Sequence, residues 1–247
     1  SFSDRYYGIF TNPNALGSIM FIAFALKLFL YYEGEKRDFF ELLLFFILIL
    51  LSGSRISLLG ISLVYALKYG VSFRFIILIT VSVLGLYFTI DLLGKGSGFN
   101  RLLSGDLFSN RILEFDYAYK TFQSKWVSGN GLASYAYINQ DLISAEHQNL
   151  NIGAHNGYLA LLVQYGVFFA SAFLIILFSS LFSMLSFIKS NWDNKIIQFS
   201  SFVLLYTLVN GFVETVITGI NDFQTCIFWL SFGYIYSQSY KWKRDLI

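Results

Sequence analysis

The stretch "FFELLLFFILILLSGSRISLLGISLVYAL" (residues 39–67) decides how this chain folds. Two apolar runs, 39–51 and 56–67, flank a short polar interruption that carries Arg55. An uncompensated charge at the centre of a bilayer costs at least about 2.5 kcal/mol. Arg55 therefore lies at a membrane edge or faces polar groups inside a bundle. Neither run alternates with the period of two that a transmembrane barrel strand requires, so both are read as helices.

Residues 39–70 fit either one long tilted helix or two helices that turn back at SGSR, and the loops discriminate. Short loops rich in Lys and Arg stay cytoplasmic. A turn at SGSR gathers Lys36, Arg37, Lys68, Arg74, Lys189, Lys195, Lys241, Lys243 and Arg244 on one side. A single crossing moves Lys36 and Arg37 away from the rest. The two-helix reading is preferred, and it puts Arg55 at the extracytoplasmic edge.

Composition agrees with a membrane-embedded chain. Of 247 residues, 56% are hydrophobic and 13% charged, about half the charged share of a soluble domain. A net charge of +2 gives no sign of a nucleic-acid partner. The single cysteine, Cys226 in TCIFWL, excludes an internal disulfide and reads as packing. Seven spans are expected, at 15–32, 39–53, 56–70, 75–93, 160–188, 196–213 and 223–240. The fifth is too long for a simple span. Gly157 and Gly166 flank its first part, read as a partly buried lead-in to the span proper. The fold class expected is all-α: a polytopic transmembrane helical bundle forming one membrane domain over 1–247. Because the chain starts SFSDRYYG, it reads as a piece of a longer protein with further spans before residue 1.

In this topology TNPNALG, the SGSR turn, residues 94–154, HNGY and GFVETVITGIND share the outer face. The 94–154 loop, between spans four and five, far exceeds the roughly 15 residues beyond which loops carry function or disorder. Its aromatic residues, among them Tyr117, Phe122, Trp126 and Tyr137, indicate a structured extracytoplasmic cap. Within it, ILEFDYAYKTF reads as an amphipathic helix on the membrane surface.

Three side chains on that face are candidates for chemistry: Arg55 at a span end, Arg111 opening RILEFDYAYKTF, and His155 in AHNGYLALL. Each has an ordinary reading. Arg55 can snorkel to the headgroups, Arg111 can pair with Glu114 or Asp116, and His155 can simply start a helix. His147 in SAEHQNLN reads as solvated, and a serine nucleophile has no visible partner. Asn12-Pro13-Asn14 is a turn and helix start, and Glu214 caps a cation or sits in water. Taken together, two arginines and a histidine suit a phosphate-bearing lipid. The guanidinium fork matches phosphate oxygens, and a neutral imidazole takes a proton from a hydroxyl near pH 7. No metal-ligand cluster, Walker loop or Gly-x-Ser-x-Gly elbow is present in the sequence.

FTNPNALG, LLSGSRISLLG, the Arg111…Trp126…GNG loop and AHNGYLALLVQYGV, in this order, resemble the O-antigen ligase and polymerase superfamily. The resemblance implies a GT-C-like membrane glycosyltransferase. Such an enzyme moves glycan from undecaprenyl diphosphate to an acceptor, outside the bacterial cytoplasmic (inner) membrane, without metal or other cofactor. It implies Arg55 and Arg111 as diphosphate ligands and His155 as the catalytic group on the acceptor hydroxyl. Asn156 and Glu214 become candidate acceptor or sugar contacts. Partners implied are the undecaprenyl-diphosphate-linked oligosaccharide, membrane lipids, and a polysaccharide chain-length regulator or flippase. Polymerisation of surface-polysaccharide repeat units is the leading expectation, on the ground that more cells need a polymerase than a ligase. Transfer of finished glycan to lipid A core or another acceptor is the sister activity. A transporter or flippase for the same lipid is the alternative from another class. Transporters place ionisable residues near the midplane and often repeat internally. Here the interior charges are few (Lys27, Glu41), and no repeat is visible.

Overall fold

The computed structural model describes residues 6–10, 12–32, 35–69, 109–131, 137–148, 152–217, 219 and 222–244. Among these every regular element is helical. The expected span 75–93 and parts of the 94–154 loop lie outside the described residues. The backbone falls into two compact units, 1–105 and 106–247.

The first unit contains α1 (Pro13–Leu26), α2 (Lys36–Ser52) and α3 (Arg55–Tyr69). Asn12 caps α1 by accepting from the Asn14 amide at 2.8 Å, and Pro13 occupies the first turn, where no amide is needed. A π turn, Lys27–Tyr31, prolongs α1. Helix α2 opens on a capping box between Glu35 and Asp38 and ends at Gly53 in the left-handed region (φ 62°). The break at Gly53–Ser54 makes two helices of 39–70. Their directions follow from three contacts. Lys27, past the end of α1, pairs with Asp38 at 2.6 Å and Glu41 at 2.8 Å, at the start of α2. Gly17, near the start of α1, lies under Ser52 and Ser54, so close that an added Cβ would sit 2.4 Å from that of Ser54. Lys68, at the end of α3, donates to the Leu28 carbonyl in the π turn and lies over the Phe29 ring. Helix α2 thus runs antiparallel to α1, and α3 returns. Lys27, Lys36, Arg37 and Lys68 gather at one end, and Arg55 lies at the other.

The second unit contains α4 (Ser109–Ser124), a 3₁₀ turn (Gln140–Leu142), α5 (Gly157–Ser190), α6 (Lys195–Asn210) and α7 (Phe223–Arg244). It has two apolar cores. Tyr117 and Ala118 of α4 pack with Ile138, Ile143 and Ala154 of the loop and with Ala160 and Val163 of α5. Further along, Leu177, Met184 and Phe187 of α5 pack with Ile197 and Leu204 of α6 and Phe228 and Ile235 of α7. The described part of the expected cap is therefore a folded layer with its own core.

Helix α5 is broken at Gly166 (φ 73°, ψ 173°). In an unbroken helix the Val167 amide would bond to the Val163 carbonyl. Here Val167 N–H donates to the Trp126 carbonyl at 2.8 Å, while Val163 accepts from the Asn130 backbone amide at 2.8 Å and side-chain amide at 3.1 Å. Gly131 N–H donates to the Gln164 carbonyl at 2.9 Å. Trp126 and the SGNG segment thus satisfy the polar groups that the break releases, as an apolar setting demands. Before the break α5 is largely buried; after it, Phe168, Phe169, Ile175, Ile176 and Phe182 are each more than 60% exposed. The break falls at Gly166, where the sequence predicts the end of the partly buried lead-in.

Among the described residues, two helical segments are long and apolar enough to cross a membrane, Pro13–Tyr31 and Gly157–Ser190. Helices Arg55–Val64 and Lys195–Asn210 are apolar but shorter. Outward-facing Phe39, Phe40, Leu44 and Ile47 give α2 a greasy exposed side as well.

The break at Gly166 yields the first prediction. Alanine there must enter a backbone region almost confined to glycine and would bring its Cβ to 2.0 Å from the Val127 carbonyl oxygen. Gly166→Ala is expected to cost at least about 3 kcal/mol. Gly131 has a similar φ of 74° but open space around it, so Gly131→Ala should cost about 1–2 kcal/mol. Thermal unfolding of the two purified variants in detergent checks the order.

Candidate functional site

Glu214, Arg111 and His155 come from three separated segments of the second unit. The "HNG" segment builds the platform. Asn156 is the N-cap of α5: its Oδ1 accepts from the Tyr158 amide at 3.0 Å and the Leu159 amide at 2.9 Å, and its Nδ2 donates to the Phe212 carbonyl at 3.1 Å. Gly157 N–H donates to the Gly211 carbonyl at 2.7 Å and the Glu214 carbonyl at 3.1 Å. A side chain at 157 would press on both carbonyls. Tyr158 adds a hydroxyl bond to the Leu208 carbonyl at 2.8 Å and a ring contact with Phe212 at 4.7 Å. These bonds fasten the start of α5 to the turn after α6. His155 and Glu214 meet as a result.

Arg111, in the first turn of α4, reaches the same point. Its Nη1 donates to the Val213 carbonyl and, at 3.2 Å, to the His155 carbonyl. Its Nη2 donates to Glu214 Oε1 at 2.9 Å. Glu214 Oε2 lies 3.5 Å from His155 Nδ1, and Glu114 Oε1 lies 3.7 Å from His155 Nε2. Glu114 Oε2 is also 3.8 Å from Arg111 Nε. Two arms of cation and carboxylate therefore join Arg111 to the His155 ring. The carboxylates are well buried, with 13% of each side chain exposed, whereas His155 keeps 35%. Burial pushes the Glu214 carboxyl up, but the hydrogen bond with His155 and the charge of Arg111 outweigh it and hold the group below the usual carboxylate range.

Of the residues singled out from sequence, Arg111, His155, Asn156 and Glu214 come together. Arg55 belongs to the other unit, where it is the first residue of α3, preceded by Ser54, whose hydroxyl bonds to that of Ser57 at 2.9 Å. Glu114 was visible in sequence only as an i,i+3 partner of Arg111, because nothing local shows that His155 closes on it. His147 differs from its solvated reading. Its Nδ1 lies 3.0 Å from both the Tyr117 hydroxyl and the Ser144 hydroxyl, and Ser144 N–H donates to Tyr117 at 3.1 Å. The i+3 spacing of Ser144 and His147 was the one available signal. The trio fastens the loop to α4.

Among the described residues every element is helical, several helices turn apolar side chains outward, and a charged cluster sits at the start of α5. Residues 40–174, more than half of the chain, match the O-antigen ligase family (Wzy_C). The protein belongs to that family, within the membrane-integral O-antigen ligase and polymerase superfamily. The match includes Arg55, Arg111, Glu114, His155 and Asn156 and ends before Glu214. No curated protein matches the chain.

A pH prediction follows from Glu214. A carboxyl whose titration is depressed by folding contributes stability above the ordinary carboxylate range, and that contribution is lost as pH falls through the depressed range. Glu214→Gln should therefore destabilise the protein at pH 7, by about 1–3 kcal/mol. The difference from wild type should shrink as pH is lowered below 4. Paired melting curves across pH 3–7 measure it.

Proposed function

We propose that this protein polymerises surface-polysaccharide repeat units carried on undecaprenyl diphosphate, as one multi-pass domain of the bacterial inner membrane with its active site on the extracytoplasmic face. The observation that carries the reading is the His155 cluster at the start of α5, of which Arg111, Glu114 and His155 fall within the family match. Water, bilayer and a histidine meet there, as a lipid diphosphate and a sugar hydroxyl must.

In this reading His155 takes the proton of the acceptor hydroxyl while the acceptor oxygen bonds to the anomeric carbon. The anomeric C–O bond breaks and its electron pair leaves on the diphosphate. Arg111 brings positive charge to that leaving group, and the family resemblance assigns the same part to Arg55; fixed cations aimed at developing charge contribute several kcal/mol, which reduces the need for a metal. Arg55 has a supporting feature of its own. It opens α3, and a helix N-terminus already favours anions, so a phosphate there is doubly attracted. Arg111 has much of its fork engaged by Glu214, Val213 and His155, so it serves the diphosphate while also holding the histidine. Asn156 and Glu214 are committed to capping and ion pairing. They act on acceptor and sugar through the shape they give the site.

The ligase reading differs in the acceptor, lipid A core in place of a growing chain. The lipid-linked glycans that accumulate on deletion of the gene separate the two. Single repeats are expected here; long unattached chains would replace polymerase by ligase. His155→Ala should lower transfer at saturating donor by about 100-fold or more, the range for losing a general base, with lipid-donor binding retained. His147→Ala should stay within a few-fold of wild type. A His155→Ala rate near wild type would remove the base assignment.

A further inference from the structure

We propose that Glu114 is a positioning residue for His155, and that the two carboxylates Glu114 and Glu214 hold the imidazole ring from both of its nitrogens. The proposal rests on the glycosyl-transfer reading above and extends it to a residue to which the sequence reading gave no part in transfer.

The argument starts from connectivity. Arg111, Glu214, His155 and Glu114 form a closed circuit: 2.9 Å from Arg111 to Glu214, 3.5 Å to the ring, 3.7 Å on to Glu114, and 3.8 Å back to Arg111. Arginine and histidine alternate with carboxylates around it. The members come from the first turn of α4, the residue before the α5 cap, and the turn after α6. A neutral imidazole has one N–H and one lone pair, so it meets two carboxylates unequally. Glu214 faces Nδ1 and is fixed by the strong Arg111 bond, so it takes the N–H. The lone pair at Nε2 then points toward Glu114, which a carboxylate disfavours until a proton arrives there.

That asymmetry has a catalytic consequence. When the acceptor hydroxyl gives its proton to Nε2, the ring becomes a cation with a carboxylate on each side. Glu114 stabilises this form and not the neutral one, so it raises the driving force for proton removal at the step that needs it. Its own helix holds it ready: Arg111 is three residues earlier on α4 and sets the carboxylate by its charge. The other charges of α4, Asp116 and Lys120, pair with each other at 2.6 Å. Among the described residues, the charged groups facing Glu114 are Arg111 on α4 and His155 before α5, with Glu214 across the ring.

The test uses Glu114→Gln and Glu114→Asp in the full-length protein, in membranes supplied with the host's own lipid-linked glycan, beside His155→Ala. Arg111 keeps its bonds to Glu214, Val213 and His155 in both variants, so both should accumulate. Glu114→Gln keeps shape and removes charge. Transfer should fall by about 10–100-fold with donor affinity unchanged, and the acid limb of the rate profile should move to lower pH, because the protonated ring has lost a partner. Glu114→Asp should recover part of the rate and return the limb toward wild type. A Glu114→Gln enzyme within threefold of wild type, with the same pH profile, overturns the proposal. If that variant does not accumulate, Glu114→Asp decides: wild-type rate and profile despite the shortened side chain overturn it equally. When His155→Ala is inactive and Glu114→Gln is normal, only the Glu114 role fails. When His155→Ala is itself normal, the base assignment beneath it fails.

Discussion

The arrangement of the second unit depends on one constraint: the Arg111 guanidinium must be satisfied near the edge of an apolar helix bundle. Its bonds to Val213, His155 and Glu214 do this with two carbonyls and a carboxylate drawn from distant parts of the chain. Satisfying one cation thereby fixes the separation of α4, the start of α5 and the turn after α6. A buried ion pair gives little net stability, but breaking it strands a charge. The cluster is better understood as a device that holds a geometry, in which a half-exposed histidine is kept against buried carboxylates.

The same logic governs the backbone. Apolar surroundings tolerate no orphaned amide or carbonyl, so a helix can break at Gly166 only where something replaces the lost bonds. Trp126 and the SGNG segment are that replacement, and Gly129 and Gly166 allow the two backbones to approach more closely than any side chain would permit. The break divides α5 into a part that packs with α4 and its loop and a part whose phenylalanines and isoleucines face outward. The layer that carries Arg111 is in this way joined to the helix that carries His155 on its threshold.

In the first unit, charges in an apolar helix are handled by neighbours. Lys27 is flanked by Asp38 and Glu41, and Arg37 bonds to Glu41 at 2.8 Å. Lys27 and Glu41, read from sequence as interior charges, are partners at one helix end. A midplane ion path of the transporter kind would need such groups deeper in the bundle. At the opposite end Gly17 meets Ser52 and Ser54, so TNPNALG and SGSR are two halves of one contact that sets where α3, and hence Arg55, begins.

The sequence alone determined the helical class, the break at SGSR, the lead-in to α5 and the candidates Arg55, Arg111, His155, Asn156 and Glu214. These are written in hydrophobic run lengths, in glycine and asparagine at helix ends, and in the resemblance to the O-antigen ligase and polymerase superfamily. All of them except the resemblance are local signals, legible within about twenty residues. Tertiary structure decided what those signals cannot carry. Glu114 faces His155 across 41 positions of chain, and Glu214 meets Arg111 across 103. His147 is fastened to Tyr117, 30 positions away, where its own segment suggested solvent. Side-chain type says which groups can bond; only the packing of α4, α5 and α6 says which of them come within reach.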